Sequence, residues 1–209
     1  MTEVLLYDFS RSSASYRVRI ALALKGVAYR SVPMDLTKGM QSDPAYLALN
    51  PQGLVPALAI DGLLLTQSLA IIDYLDAQYK DPPMVSSDPA SRSRTLAQAL
   101  LIAADIHPIN NLRVLNYLRH EMGQGEDAIN AWYRHWISEG FAALEQQAPS
   151  SGLFGGSKPN MADVCLVPQM ANARRFDTPL DDFPKLVAID AALQVIPAFA
   201  AAAPEAVKS

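Results

Sequence analysis

Five short segments carry residue types that could hold or activate an anion. The first is Arg11-Ser12-Ser13, placed between an apolar run at residues 4–9 and an amphipathic pattern from about 15 to 25. A helix that starts there offers free N–H groups and partial positive charge, so hydroxyls at its mouth can donate to a thiolate and Arg11 can meet a carboxylate. An ordinary serine N-cap has the same local signature. The second segment is Asn50-Pro-Gln-Gly-Leu-Val-Pro-Ala-Leu58, and the third is Gln67-Ser68. Ser68 also falls at a helix start, where a hydroxyl and backbone N–H groups suit a carboxylate; Thr66 or Ser68 acting as a plain cap is the simpler alternative. The fourth, residues 103–118, gathers Asp105, Asn111 and Arg113 around Pro108. The fifth is the pair Arg174-Arg175 near the end of a helical pattern.

Elements that could position these residues are set by periodicity and punctuation. Strands are expected at 4–9 and 28–33, and a hairpin at 55–66 with its turn at Asp61-Gly62. Helices are expected at 15–25, 43–49 and 68–79, the last with Leu69, Ile72 and Leu75 on one apolar stripe. The order βαβαββα describes a compact α/β unit over residues 1–80. Residues 81–88, polar and rich in proline, read as a linker, and 89–209 reads as all-helical. Asp88-Pro89 supplies an N-cap followed by proline at the first helical position. A long helix is then expected from about 90 to 122, broken or bent near Pro108, with Asp105 and Arg113 on neighbouring faces. Further helices are expected at 127–147, from Asn160 onward with Pro168 inside, and within 183–202. Asn160 and Asp163 have capping-box spacing.

Composition excludes several classes. The chain has 209 residues, half of them apolar, and a net charge of only −4 without long runs of one sign. A large core can form, while a nucleic-acid or acidic-membrane partner is not indicated. No basic-then-apolar leader pattern opens the sequence, and no apolar stretch is long enough to span a bilayer. The single cysteine, Cys165, lies on an apolar helix face and fits an inert buried thiol in a reducing cytoplasm. His107, His120 and His135 lack metal-ligand spacing, so no metal is expected.

Taken together, Arg11-Ser12-Ser13-Ala14, Val55-Pro56, Gln67-Ser68, the 103–118 stretch and Leu166-Val-Pro-Gln-Met-Ala-Asn-Ala-Arg-Arg-Phe176 resemble the zeta-class glutathione transferases. That family contains the maleylacetoacetate and maleylpyruvate isomerases, and the resemblance spans essentially the whole chain. It implies a thioredoxin-like N-terminal domain joined to an all-α C-terminal domain, the glutathione transferase fold. It implies glutathione as cofactor and a cis peptide at Val55-Pro56, with Val55 pairing with the cysteinyl backbone of the tripeptide. Ser12, with Ser13 as competitor, would hydrogen-bond the thiolate. Gln67 and Ser68 would take the γ-glutamyl carboxylate, and Gln52 and Gln41 would lie near the glycyl end. Asp105 would reach the γ-glutamyl ammonium across a homodimer interface. Arg11, Asn111, Arg113 and one of Arg174 and Arg175, the latter favoured, would hold a small dicarboxylate substrate.

The family turn usually reads Ser-Ser-Cys, and Ala14 here removes that protein thiol. Isomerisation needs only the glutathione sulfur, so the expected activity stands: cis–trans isomerisation of maleylacetoacetate. Maleylpyruvate isomerisation, a conjugating transferase and a non-catalytic glutathione-binding module are the alternatives.

Overall fold

The computed structural model describes residues 3–207. By internal packing the chain divides into two units, one comprising residues 3–83 with 195–207 and the other Met84–Gln194. The division falls inside the segment read as a linker. It departs from the expected helical domain at 89–209, because residues 195–207 join the first unit. The cause is a set of contacts between chain-distant residues, invisible to local periodicity.

In the first unit, β1 (Leu5–Asp8) leads into α1 (Ser13–Leu24), followed by β2 (Arg30–Pro33), α2 (Pro44–Leu49), β3 (Ala57–Ile60), β4 (Leu63–Thr66) and α3 (Ser68–Gln78). The sheet order is β2-β1-β3-β4, with β1 parallel to β2 and the other pairs antiparallel. Asp61 and Gly62, both at positive φ, make the two-residue turn that pairs Ile60 with Leu63; such a turn matches the strands' twist. Helix α1 ends where Gly26 adopts φ +64 and Val27 N–H reaches back to the Leu22 carbonyl, a left-handed stop that glycine allows. The Lys25 ammonium, buried beside that stop, donates to Asp76, to the Tyr79 carbonyl and to the Pro82 carbonyl.

The C-terminal helix α10 (Pro197–Ala202) packs on α1. Phe199 is fully buried, the Tyr16 hydroxyl donates to its carbonyl, and Arg19 donates to the Ala202 carbonyl. An apolar anchor and two polar ties thus hold the tail to the first unit.

The second unit is helical: α4 (Pro89–Leu100), a π-helical turn at Leu101–Ile106, α5 (His107–Ile109), α6 (Leu112–His120), α7 (Glu126–Gln147), α8 (Met161–Arg175) and α9 (Pro184–Gln194). The helix expected over 90–122, broken or bent near Pro108, is broken there. Pro108 lacks an N–H and its ring crowds the preceding turn, and that turn is wound wider, with the His107 N–H bonded to Ile102 five residues back. The helix then stops at Asn110, and Asn111 starts a new one by accepting from the Arg113 N–H. Asp105 and Arg113 therefore lie on different helices, and the expected neighbouring-face relation does not hold. Ile106, at the end of the wide turn, is seated against Gly140 of α7, where any Cβ would collide with it.

Helix α8 begins with the expected capping box: the Asn160 side chain accepts from the Ala162 and Asp163 N–H groups, and Asp163 accepts from Asn160, Phe154 and Gly155. Burial nevertheless outweighs these donors and pushes the Asp163 carboxyl from 3.8 to about 6. A folded value above the unfolded one means that the native state binds the proton more tightly, so its contribution to stability is full below the unfolded value and declines as pH rises through the folded one. Asp163→Asn cannot titrate. Urea unfolding from about pH 4 to about pH 7 is expected to move the stability difference progressively in the variant's favour; a constant difference would mean that the carboxyl has an ordinary value.

Candidate functional site

Between β1 and α1 the chain turns through Phe9-Ser10-Arg11, closed by the Ser12 N–H donating to the Phe9 carbonyl at 2.8 Å. Ser12 is the N-cap of α1, with an extended backbone, and its Oγ accepts from the Ser15 N–H at 3.2 Å. Because the oxygen is occupied as an acceptor, the hydroxyl hydrogen is left for an external acceptor. The first turn of α1 holds no acidic residue, so the helix's positive end is not neutralised by its own side chains. Ser12 is half-buried, whereas Ser13 is only 7% exposed and Ala14 is buried beside it. Of the two serines, Ser12 is the more accessible.

The Val55-Pro56 peptide is cis. The loop before it is tied by the Asn50 side chain and the Tyr46 hydroxyl, both donating to the Leu54 carbonyl. Gln52 Oε1 accepts from Gln67 Nε2 at 2.8 Å. Gly53, at φ +60, lets the Gln41 backbone carbonyl approach to a position only 3.0 Å from where a Cβ would stand. The Gln41 Oε1 atom is buried without a hydrogen-bond partner among the described residues. Gln41, Gln52 and Gln67 thus belong to one neighbourhood, although they are spread along the sequence.

Gln67 itself has φ +68 and ψ 114, a conformation costly for a residue with a Cβ and found where surrounding structure enforces it. Next to it, Ser68 begins α3 and is buried, and its Oγ accepts from Arg17 Nη1 at 3.0 Å. As at Ser12, an accepted bond leaves the Ser68 hydroxyl hydrogen available for donation.

Beside the Ser12 turn opens a cavity of about 570 Å³, lined by Phe9, Ser10, Arg11, Met34, Lys38, Met40 and Val207 among others. Arg11 is exposed, with its guanidinium 5.4 Å from the Phe9 ring centroid. Lys38 lies 3.6 Å from Asp35, whose other oxygen caps the turn at Thr37. Asp8, also on the cavity wall, is paired with Arg19 at 2.7 Å; burial raises its carboxyl above the ordinary range and Arg19 opposes that shift. Two cations that are not buried, over apolar walls, suit a small anion with some carbon framework.

In the second unit, Asp105 is exposed on the π-helical turn and Arg113 is exposed in the first turn of α6. Asn111 uses its side-chain oxygen for capping, with its amide N–H groups available to a ligand. Arg174 is engaged with buried Asp190 at 2.6 Å. Arg175 is exposed, 5.0 Å from the Phe176 ring centroid. It is close enough to Tyr133 that its charge opposes the upward push of burial on that phenol. Both arginines are exposed and both are engaged, Arg174 with Asp190 and Arg175 with Tyr133.

Sequence reasoning gave no role to Arg17, Arg19 or Lys38. Charged residues inside a helical pattern ordinarily read as a solvated face. The one signal for Arg17 and Arg19 was the alternation Arg17-Val18-Arg19 in a helix otherwise apolar enough to be buried nearly all round, and Lys38 gave none. Among the described residues, no group of His, Cys, Asp and Glu could hold a metal ion, and no helix is long and apolar enough to cross a membrane.

Comparison with known proteins gives concordant results. The family profile for the glutathione S-transferase N-terminal domain matches residues 6–83. A maleylacetoacetate isomerase of Rhizobium meliloti is 50% identical over 209 residues, covering 99% of this chain and 98% of its own. A holo structure of maleyl pyruvate isomerase, a bacterial zeta-class glutathione S-transferase, superposes with a TM-score of 0.96 at 46% identity, covering 98% of this chain and 99% of its own. A maleylacetoacetate isomerase from Methylobacterium extorquens AM1, solved with bound malonate and GSH (glutathione), gives 0.94 at 34% identity over 98% of each chain.

The strained backbone at Gln67 generates a direct test. Gln67→Gly relieves a conformation that side chains disfavour. It is expected to leave stability to urea unchanged or raise it by up to about 1 kcal/mol. A loss of more than that would mean that the Gln67–Gln52 bond, rather than an external partner, maintains the conformation.

Proposed function

The chain belongs to the zeta class of the glutathione transferase family, and from that premise we propose that it is a glutathione-dependent cis–trans isomerase of a small maleyl oxo-acid, maleylacetoacetate first. The observation that carries the reading is the Ser12 cap: an N-cap hydroxyl with its hydrogen uncommitted, at a helix end without acidic residues, next to a cavity bearing Arg11 and Lys38.

The residues fit the tripeptide. Ser68 and the start of α3 offer hydroxyl and N–H donors for the γ-glutamyl carboxylate, and Gln67 flanks them. Val55, next to the cis bond, is assigned to the cysteinyl backbone. Gln52 and Gln41 are assigned to the glycyl end, and the unpartnered Gln41 Oε1 supports a polar partner there. When bound, glutathione supplies a thiolate whose reversible addition to the alkene permits rotation about the former double bond, and the thiol is regenerated.

The protein's own part is to hold charge. Ser12 donates to the sulfur anion, lowering the thiol's pKa by favouring its ionised form. Arg11 offers a forked cation to one substrate carboxylate. Arg113 and Arg175, each exposed on the helical unit, are assigned to the substrate as well, and Asn111 contributes through its amide N–H groups. Asp105 is assigned to the γ-glutamyl ammonium within a homodimer. Ala14 leaves no protein thiol in the turn, so the sulfur chemistry is assigned to glutathione alone. A cytoplasmic location accords with the need for reduced glutathione.

Maleylpyruvate differs from maleylacetoacetate by a short chain extension and shares the maleyl end on which the reaction occurs. The likeness to a maleyl pyruvate isomerase structure supports it as the second substrate. Freshly prepared maleylacetoacetate and maleylpyruvate, each with and without glutathione, test the proposal. Turnover to the fumaryl product only with glutathione is expected, and relative kcat/KM identifies the preferred substrate. No turnover of either compound by a chain that still binds glutathione would favour a conjugating enzyme or a binding module.

A further inference from the structure

Arg19 is 1% exposed, and each of its three nitrogens donates to a different segment of the first unit. Nη1 meets Asp8 Oδ1 at 2.7 Å, at the end of β1. Nη2 meets the Ser10 carbonyl at 2.9 Å, inside the turn that carries Arg11 and Ser12. Nε meets the Ala202 carbonyl at 2.9 Å, at the last residue of α10. The guanidinium also lies 5.3 Å from the Tyr16 ring centroid, and the Tyr16 hydroxyl donates to Phe199 of the same C-terminal helix. A rigid planar fork can satisfy three acceptors in fixed directions, whereas an ammonium is a point charge with rotatable donors.

The segment after α10 gives this clamp a functional consequence. The chain turns back through Ala203, with the Ala206 and Val207 N–H groups both donating to its carbonyl. Val207 then forms part of the cavity wall that includes Phe9, Ser10, Arg11 and Lys38. One buried guanidinium therefore fixes both the turn that presents Arg11 and the C-terminal segment that completes the cavity wall.

We propose that Arg19 is a positioning residue that couples the C-terminal segment to the active-site turn, and that Val207 at the end of this segment helps determine how the cavity grips its dicarboxylate. The proposal rests on the reading of the cavity as the substrate site. Arg19 touches neither substrate nor glutathione; it acts through Ser10 and Ala202.

The test compares the wild-type chain with Arg19→Lys, Val207→Gly and the double variant, all at full length. Lysine keeps a cation beside Asp8 while losing the fork. Each single variant is expected to raise KM for the maleyl substrate by roughly tenfold, with the dissociation constant for glutathione changed by less than about twofold. The double variant is expected to resemble the worse single one, since both changes undo the same wall. Multiplicative effects of the two changes, or an equal loss of glutathione binding, would overturn the proposal. So would a lower melting temperature with unchanged kinetics, the signature of a purely structural arginine.

Hydrogen exchange supplies a readout independent of turnover. Arg19→Lys is expected to speed exchange in residues 199–207 and 9–12 together, and an unchanged pattern would overturn the coupling even in an active enzyme. If the wild-type chain turned over neither maleyl compound, the substrate reading would fail, and the exchange result would still decide whether the clamp exists. If Arg19→Lys did not fold, Val207→Gly would remain: unchanged KM in that variant overturns the wall.

Discussion

The positive end of α1 is the constraint on which the rest of the first unit depends. A thiol near neutral pH is mostly protonated, with an ordinary pKa of about 8.5, and a site that uses it must favour the anion. Here this falls to a helix start with no acidic residue in its first turn and to a capping serine whose oxygen accepts from within the helix. Such a start works only if strand and helix are joined by a short, fixed turn. The bond from Ser12 N–H to the Phe9 carbonyl and the bond from Arg19 to the Ser10 carbonyl fix it from two sides.

Around this start, α1 is built as a buried carrier of charge. Arg17 reaches Ser68 at the start of α3, Arg19 reaches Asp8, Ser10 and Ala202, and Lys25 reaches Asp76, Tyr79 and Pro82. A buried cation gains from every partner its donors find, and removing such a partner is strongly destabilising. Each cation therefore dictates where neighbouring segments lie. The same helix that presents the anion-binding end thus also aligns the second anion-binding start at Ser68 and recruits the tail from the far end of the sequence. The helical unit carries its own set of ties, in which Arg174 pairs with Asp190 and Arg175 with Tyr133.

Local signals were legible in the sequence, and long-range ones were not. The Asp61-Gly62 turn and the Asn160–Asp163 capping box depend on a few adjacent residues, and each is present. Pro108 was legible as a break or a bend, but the form it takes was not: the helix absorbs the proline with a wide turn and breaks three residues later, at Asn111, a good cap. The placement of residues 195–207 with the first unit rests on Tyr16, Arg19 and Phe199 meeting across most of the chain, which no periodicity encodes. For the candidate site, residue types at helix starts pointed to Ser12, Gln67 and Ser68. The burial of Arg17 and Arg19 behind them, and the use of Asn111 as a cap, required the tertiary structure.

Ser12 is the residue on which the proposed chemistry turns, and titration of the bound glutathione thiol, read from the ultraviolet absorbance of its thiolate, tests its role most directly. In the wild-type chain the thiol is predicted to ionise below its ordinary value of about 8.5. Ser12→Ala should raise that value by about one unit or more, while Ser13→Ala leaves it in place. A bound thiol that titrates identically with and without the Ser12 hydroxyl, or that shifts only when Ser13 is changed, would contradict that role.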